Sequence, residues 1–133
     1  MFALEVRDHI MIAHSFKGAV FGPAQAVHGA TFVIDAAFFT RDLDTHGLVV
    51  DIGRASDVLK EILQPLNYRN LDNETVFTGQ NTTTEFLCKY VWDRLAEAAR
   101  AGRLGRDGAD IAKIKVTLGE SHVARAWYEA ALA

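Results

Sequence analysis

The chain has 133 residues, half of them apolar and 23% charged, which is the length and composition of one globular domain rather than a disordered tail. A formal charge of −3 provides no basic field for a nucleic-acid partner, and no run of about 20 apolar residues is present to cross a membrane as a helix. The opening stretch MFALEVRDHI carries Glu5, Arg7 and Asp8 and lacks the apolar centre of a secretory signal, and the lone Cys88 cannot close an intrachain disulfide, so a reducing, cytoplasmic setting is expected.

Residues 2–14 alternate as a strand, with Ile10, Ile12 and His14 on one face and Met11 and Ala13 on the other. A Gly/Pro/Phe loop follows from Phe16 to Ala24. Residues 27–39 read as a second strand in which Phe32, Ile34, Ala36 and Phe38 share a face that His28 and Ala30 continue. After a turn cluster at 42–47 and a short apolar run at 48–50, Asp51 is placed to cap a helix carrying Val58, Leu59, Ile62, Leu63 and Leu66, which Pro65 should end. Residues 67–80 read as a polar connection. A second helix carries Phe86, Leu87, Tyr90, Val91, Leu95 and Ala98 as one stripe and stops at Gly102 and Gly105. Ala112, Ile114, Val116, Leu118 and Glu120 then share one face of a third long strand, and 123–132 closes the chain as a fourth, with Trp127 and Tyr128 on opposite sides. The order β-β-α-α-β-β implies an α+β domain, a four-stranded antiparallel sheet with two helices on one face. Such a sheet exposes two edges, so strand-to-strand oligomerisation is expected.

Three groups of residues could carry chemistry. His14 and His28 end adjacent strands and could approach one metal ion, although a catalytic zinc normally has three protein ligands and the same two residues also read as ordinary polar strand ends. In Thr82-Thr83-Thr84-Glu85, Thr82 and Glu85 have capping-box spacing, and the same helix start offers hydroxyls and amides to a polar ligand. Glu120 lies on the apolar parity of its strand. It either marks the strand's exit into water or holds the amide-like edge of a ligand by paired hydrogen bonds. Tyr68 and Cys88 read as structural, His46 as solvated, and His122 is close enough to Glu120 in sequence to share its surroundings.

Taken in order, several segments resemble the 6-pyruvoyl-tetrahydropterin synthase and 6-carboxy-tetrahydropterin synthase family, whose fold is the T-fold. They are Ile12-Ala13-His14, Val27-His28-Gly29-Ala30-Thr31-Phe32, Gly47-Leu48-Val49-Val50-Asp51, Pro65-Leu66-Asn67-Tyr68, Asn81-Thr82-Thr83-Thr84-Glu85, and Glu120 with Trp127-Tyr128. The resemblance implies zinc as cofactor with His14 and His28 among its ligands. It implies a pterin-like ligand anchored by Thr83, Thr84, Glu85 and Glu120, in a cleft between subunits of a homohexamer built from two barrel-forming trimers. It also implies a metal-dependent lyase reaction on a dihydropterin triphosphate or a related pterin.

The sequence departs from that pattern at the chemical positions. Ala30 stands where the family has a further zinc histidine, Ala24 where it has the catalytic Cys, and Asn67-Tyr68 where it has an Asp-His pair. His122 and Tyr68 are candidates for a substitute base. A pterin-binding homologue without synthase chemistry, or an enzyme acting on a different heterocycle, is the alternative these departures raise.

Overall fold

The computed structural model describes residues 1–133. Strand β1 (Phe2–His14) and strand β2 (His28–Thr40) form an antiparallel hairpin in unbroken register, from Phe2 opposite Thr40 to His14 opposite His28. After β2 the chain enters helix α1 (Ile52–Leu63), where Asp51 caps the start by accepting from the Arg54 amide at 2.9 Å, as the sequence suggests. The helix ends just before Pro65. Helix α2 (Thr84–Arg100) follows a long connection, and the chain closes with β4 (Ile111–Gly119) and β5 (Arg125–Ala131).

A two-residue strand, β3 (Arg69–Asn70), lies within the expected polar connection and pairs in parallel with β1 at Ile12 and Ala13. The sheet therefore has five strands, in the order β3-β1-β2-β4-β5. Two hydrogen bonds account for the difference: the Met11 amide donates to Asn67 Oδ1 at 2.9 Å, and the Tyr68 amide donates to the Met11 carbonyl at 2.7 Å. Leu71 and Phe77, further along this connection, are buried. Hydropathy averaged over the segment hides both the edge pairing and these two anchors. The last strand also starts later than its β-propensity implies, because residues 120–124 form the β4–β5 turn, closed by the Glu120 amide donating to the Ala124 carbonyl at 3.1 Å.

The core lies between one face of the sheet and the two helices. Phe32, Ile34, Ala36 and Phe38 from β2 meet Val58, Leu59 and Leu63 from α1 and Leu87, Val91 and Leu95 from α2, all buried. Trp92 joins this layer through its indole N–H, which donates to the Ile114 carbonyl at 2.9 Å. The other sheet face carries no helix. It is closed by long polar side chains: Arg7 donates from Nε and Nη2 to Asp35 at 2.6 and 3.0 Å, and Lys115 lies over the Trp127 ring at 4.7 Å. No helix is long and apolar enough to cross a membrane.

Candidate functional site

Because His14 and His28 face each other in register, the β1–β2 ladder delivers both imidazoles to the same face, with ring centroids 4.6 Å apart. His14 is buried, and its Nδ1 lies 3.0 Å from Thr82 Oγ1. Burial, and then the neighbouring His28, hold its pKa below the ordinary histidine value. His28 Nδ1 lies 2.9 Å from the Ala26 carbonyl. A carbonyl only accepts, so that nitrogen carries the proton and Nε2 keeps its lone pair in the neutral ring. Phe16 packs 4.6 Å from His14 and 5.5 Å from His28, centroid to centroid, and fixes both rings from the loop side.

The start of α2 is built differently from the capping box suggested by Thr82 and Glu85. Thr83 is the cap, its hydroxyl accepting from the Phe86 amide at 3.1 Å, and Thr82 is drawn inward to His14. Burial of the imidazole next to Thr82 supplies the competing partner. Thr83 is thereby committed to its own helix, while Thr84 and Glu85 reach a cavity of about 560 Å3. His14, His28 and Glu120 line the same cavity, together with Ala24, Ala30 and Phe32. Residues far apart in sequence are thus brought together, two imidazoles and two carboxylates around an aromatic wall.

Two sequence candidates stand elsewhere. His122 belongs to a separate pocket on the helix-free face. Tyr68 is 79% exposed at the β1 edge with φ of 61°, and it lines no part of the His14–His28 cavity. Cys88 is buried in α2 with its thiol 3.3 Å from the Ala126 carbonyl, and burial pushes its pKa up to about 11, so it is a packed thiol and no nucleophile. Phe16 and Thr82 are the residues that sequence reasoning missed as supports of the histidine pair. Thr82 carries a faint signal as the first of three consecutive threonines at a helix start that needs only one cap.

The donor set stops at two imidazoles. No group of three or more His, Cys, Asp or Glu converges anywhere in the chain, and Ala24 and Ala30 present methyl groups to the cavity. These residues do not fit a zinc held by three protein ligands of one chain.

Comparison with known proteins agrees with this architecture. The chain superposes on the 6-pyruvoyl tetrahydropterin synthase of Caenorhabditis elegans with a TM-score of 0.80 at 20% identity, covering 98% of this chain and 96% of that one. The Plasmodium vivax 6-pyruvoyltetrahydropterin synthase gives a TM-score of 0.75 at 14% identity, with 98% and 99% covered. An uncharacterized protein of Wolinella succinogenes gives 0.65 at 12%, with 96% and 97% covered. No curated protein matches by sequence. At these identities the superpositions establish a shared fold. The family model for 6-pyruvoyl tetrahydropterin synthase matches residues 3–131, nearly the whole chain, and on that ground the chain belongs to the 6-pyruvoyl tetrahydropterin synthase family.

Proposed function

We propose that the cavity binds a pterin-class heterocycle, and that this chain handles pterins with synthase-type recognition but altered chemistry. One observation carries the reading: His14, His28, Thr84, Glu85 and Glu120 share one cavity, and the walls at Ala24 and Ala30 lack the thiol and the third imidazole. A pterin presents a flat aminopyrimidine edge with adjacent N–H donors. A carboxylate such as Glu120 accepts two such bonds side by side, the geometry that makes guanidinium–carboxylate pairs strong. The hydroxyl of Thr84 and the free amides in the first turn of α2 suit the acceptor atoms of the same ring. His28 Nε2 is a proton acceptor beside the bound ring. Neither His122 nor Tyr68 lines the cavity, so neither serves as the base within one chain.

A second reading, the metal-dependent carbon–oxygen lyase acting on a dihydropterin triphosphate, draws support from the convergence of the two imidazoles. Zinc would need a further donor from outside this chain's own cavity, and no step is derived through it. The sheet edges favour a homo-oligomer, with a dimer of trimers as the proposed form: β5 has no outer partner, and β1 is paired on its outer side only at Ile12 and Ala13. The proposed setting is the cytoplasm.

The experiment is incubation with dihydroneopterin triphosphate, with and without zinc, followed by mass analysis and by calorimetry against a panel of pterins and purines. Pterin-selective saturable binding is the expected result. Triphosphate release that requires zinc would establish the lyase reading, and its absence at high protein concentration would eliminate it. Binding of purines and no pterins would refute the pterin assignment. Light scattering reads the assembly, and a stable single protomer would contradict it.

A further inference from the structure

The histidine end of the His14–His28 cavity is walled largely by carbon, through Phe16, Ala24 and Ala30. We propose, on the pterin reading above, that this end is an apolar recess and that it selects a ring whose substituent, opposite the edge held by Glu120, is a short alkyl group.

The strand register sets the two ends of the cavity. His28, Ala30 and Phe32 follow one another along the cavity side of β2 at intervals of about 6.6–6.8 Å. β4 meets β2 with Gly119 opposite Val33, and Glu120 comes one residue later, so it lies at the Phe32 end. His28 is four residues back along β2, roughly 13 Å away, with His14 opposite it. Glu85 belongs to the Glu120 end as well. Three residues further along α2, the Cys88 thiol lies 3.3 Å from the Ala126 carbonyl of β5. A bicyclic ring that gives its amino edge to Glu120 therefore extends along β2 past Phe32 and turns its far substituent toward Ala30.

Few polar atoms remain around that substituent. The Phe16 amide donates to the Ala24 carbonyl at 3.1 Å, which closes the loop between them and occupies both groups. Phe21 packs 4.8 Å from Phe16, centroid to centroid, and holds that ring over the recess. Ala30 adds only a methyl, and its partner across the ladder, Ile12, is buried. His14 Nδ1 is engaged by Thr82 and His28 Nδ1 by the Ala26 carbonyl, so each imidazole keeps one nitrogen. Those nitrogens lie beyond Ala30, two residues further along β2. The first atoms of a substituent thus meet methyl and phenyl groups before they meet nitrogen. A hydroxyl seated there loses water and gains no partner, whereas a methyl of the same size gains burial. Polyol-bearing pterins still bind through the ring, more weakly.

The test is calorimetry of the full chain with 7,8-dihydropterin, its 6-hydroxymethyl derivative and its 6-ethyl derivative. The two derivatives differ only in a hydroxyl against a methyl. The ethyl compound should bind about 10–100-fold tighter than the hydroxymethyl compound, the size of one unpaired hydroxyl together with one buried methyl. It should also bind tighter than the unsubstituted ring. Ala30→Ser places a hydroxyl on the wall and should shrink the ethyl preference at least threefold. Ala30→Leu fills the recess and should bring the ethyl compound to or below the affinity of the unsubstituted ring. Thermal melts check that both variants fold, and the comparison in the unaltered chain needs neither. Equal affinities, or a tighter hydroxymethyl compound, overturn the proposal, as does an ethyl preference that both folded variants leave intact. If none of the three compounds binds, the pterin reading itself fails and the proposal falls with it, an outcome distinct from binding without the preference.

Discussion

Replacing Ala30 by histidine tests whether the histidine pair is two thirds of a metal site. Ala30 lies two residues beyond His28 on β2, on the same face, about 6.6–6.8 Å along the strand, and it lines the cavity that both imidazoles enter. A side chain added there starts opposite Ile12, beside the His14–His28 pair. Four-ligand zinc sites in zinc-finger peptides are worth about 10–16 kcal/mol, so one added imidazole contributes about 3 kcal/mol, or roughly 100-fold in affinity. The assay is zinc titration against a competing chelator, for the original chain, Ala30→His, and Ala30→His combined with His28→Ala. The expected order is weak, about 100-fold tighter, and weak again. A tightening of less than about threefold, or a gain that survives loss of His28, would refute the inference that the three positions point at one centre.

Other outcomes follow from packing and titration. Leu95 is fully buried between helix and sheet, so Leu95→Ala should lower unfolding free energy by about 2–5 kcal/mol in a denaturant series, and a change under 1 kcal/mol would contradict that placement. Thr83→Ala removes the α2 cap and should cost about 1 kcal/mol, whereas Thr82→Val frees His14 and should alter zinc or pterin binding more than helix stability. His14 has a pKa below 6.5 in the folded chain, so the unfolded chain takes up the proton first as pH falls. Its contribution is therefore full above pH 6.5 and is lost below it. Urea midpoints for the chain and for His14→Asn should converge between pH 8 and 5, and parallel curves would count against the burial argument. Cys88, with its thiol near a pKa of about 11, should resist a thiol reagent at pH 8 until the protein unfolds.

Alternation made the long strands readable, because the large apolar residues Ile10 and Ile12 on β1, Phe32, Ile34 and Phe38 on β2, and Ile114, Val116 and Leu118 on β4 keep one parity, even where Asp35, Ala37 and Thr117 on the other parity are also buried. The helices were readable for the matching reason: Asp51 marks the start of α1, and the apolar stripe of α2 outlasts its polar neighbours. The histidine pair followed from two strands joined by one loop, where a hairpin fixes which ends meet. What escaped was information held in single hydrogen bonds. Asn67 and Tyr68 stitch β3 to β1 through Met11, and no periodicity records such a contact. Thr82 and Thr83 exchanged roles because the deciding partner, His14, is 68 residues away from Thr82. His122 does share a pocket with Glu120, as their spacing suggests, but on the helix-free side, and the turn at 120–124 keeps it out of the His14–His28 cavity.

Calorimetry of 7,8-dihydroneopterin binding to the chain and to Glu120→Gln tests the central claim most directly. The account predicts saturable binding at one ligand per chain, weakened at least tenfold when the carboxylate becomes an amide, since charge-assisted pairs are worth about 1.5–3 kcal/mol. Absence of saturable binding, or equal affinity in Glu120→Gln, would contradict it.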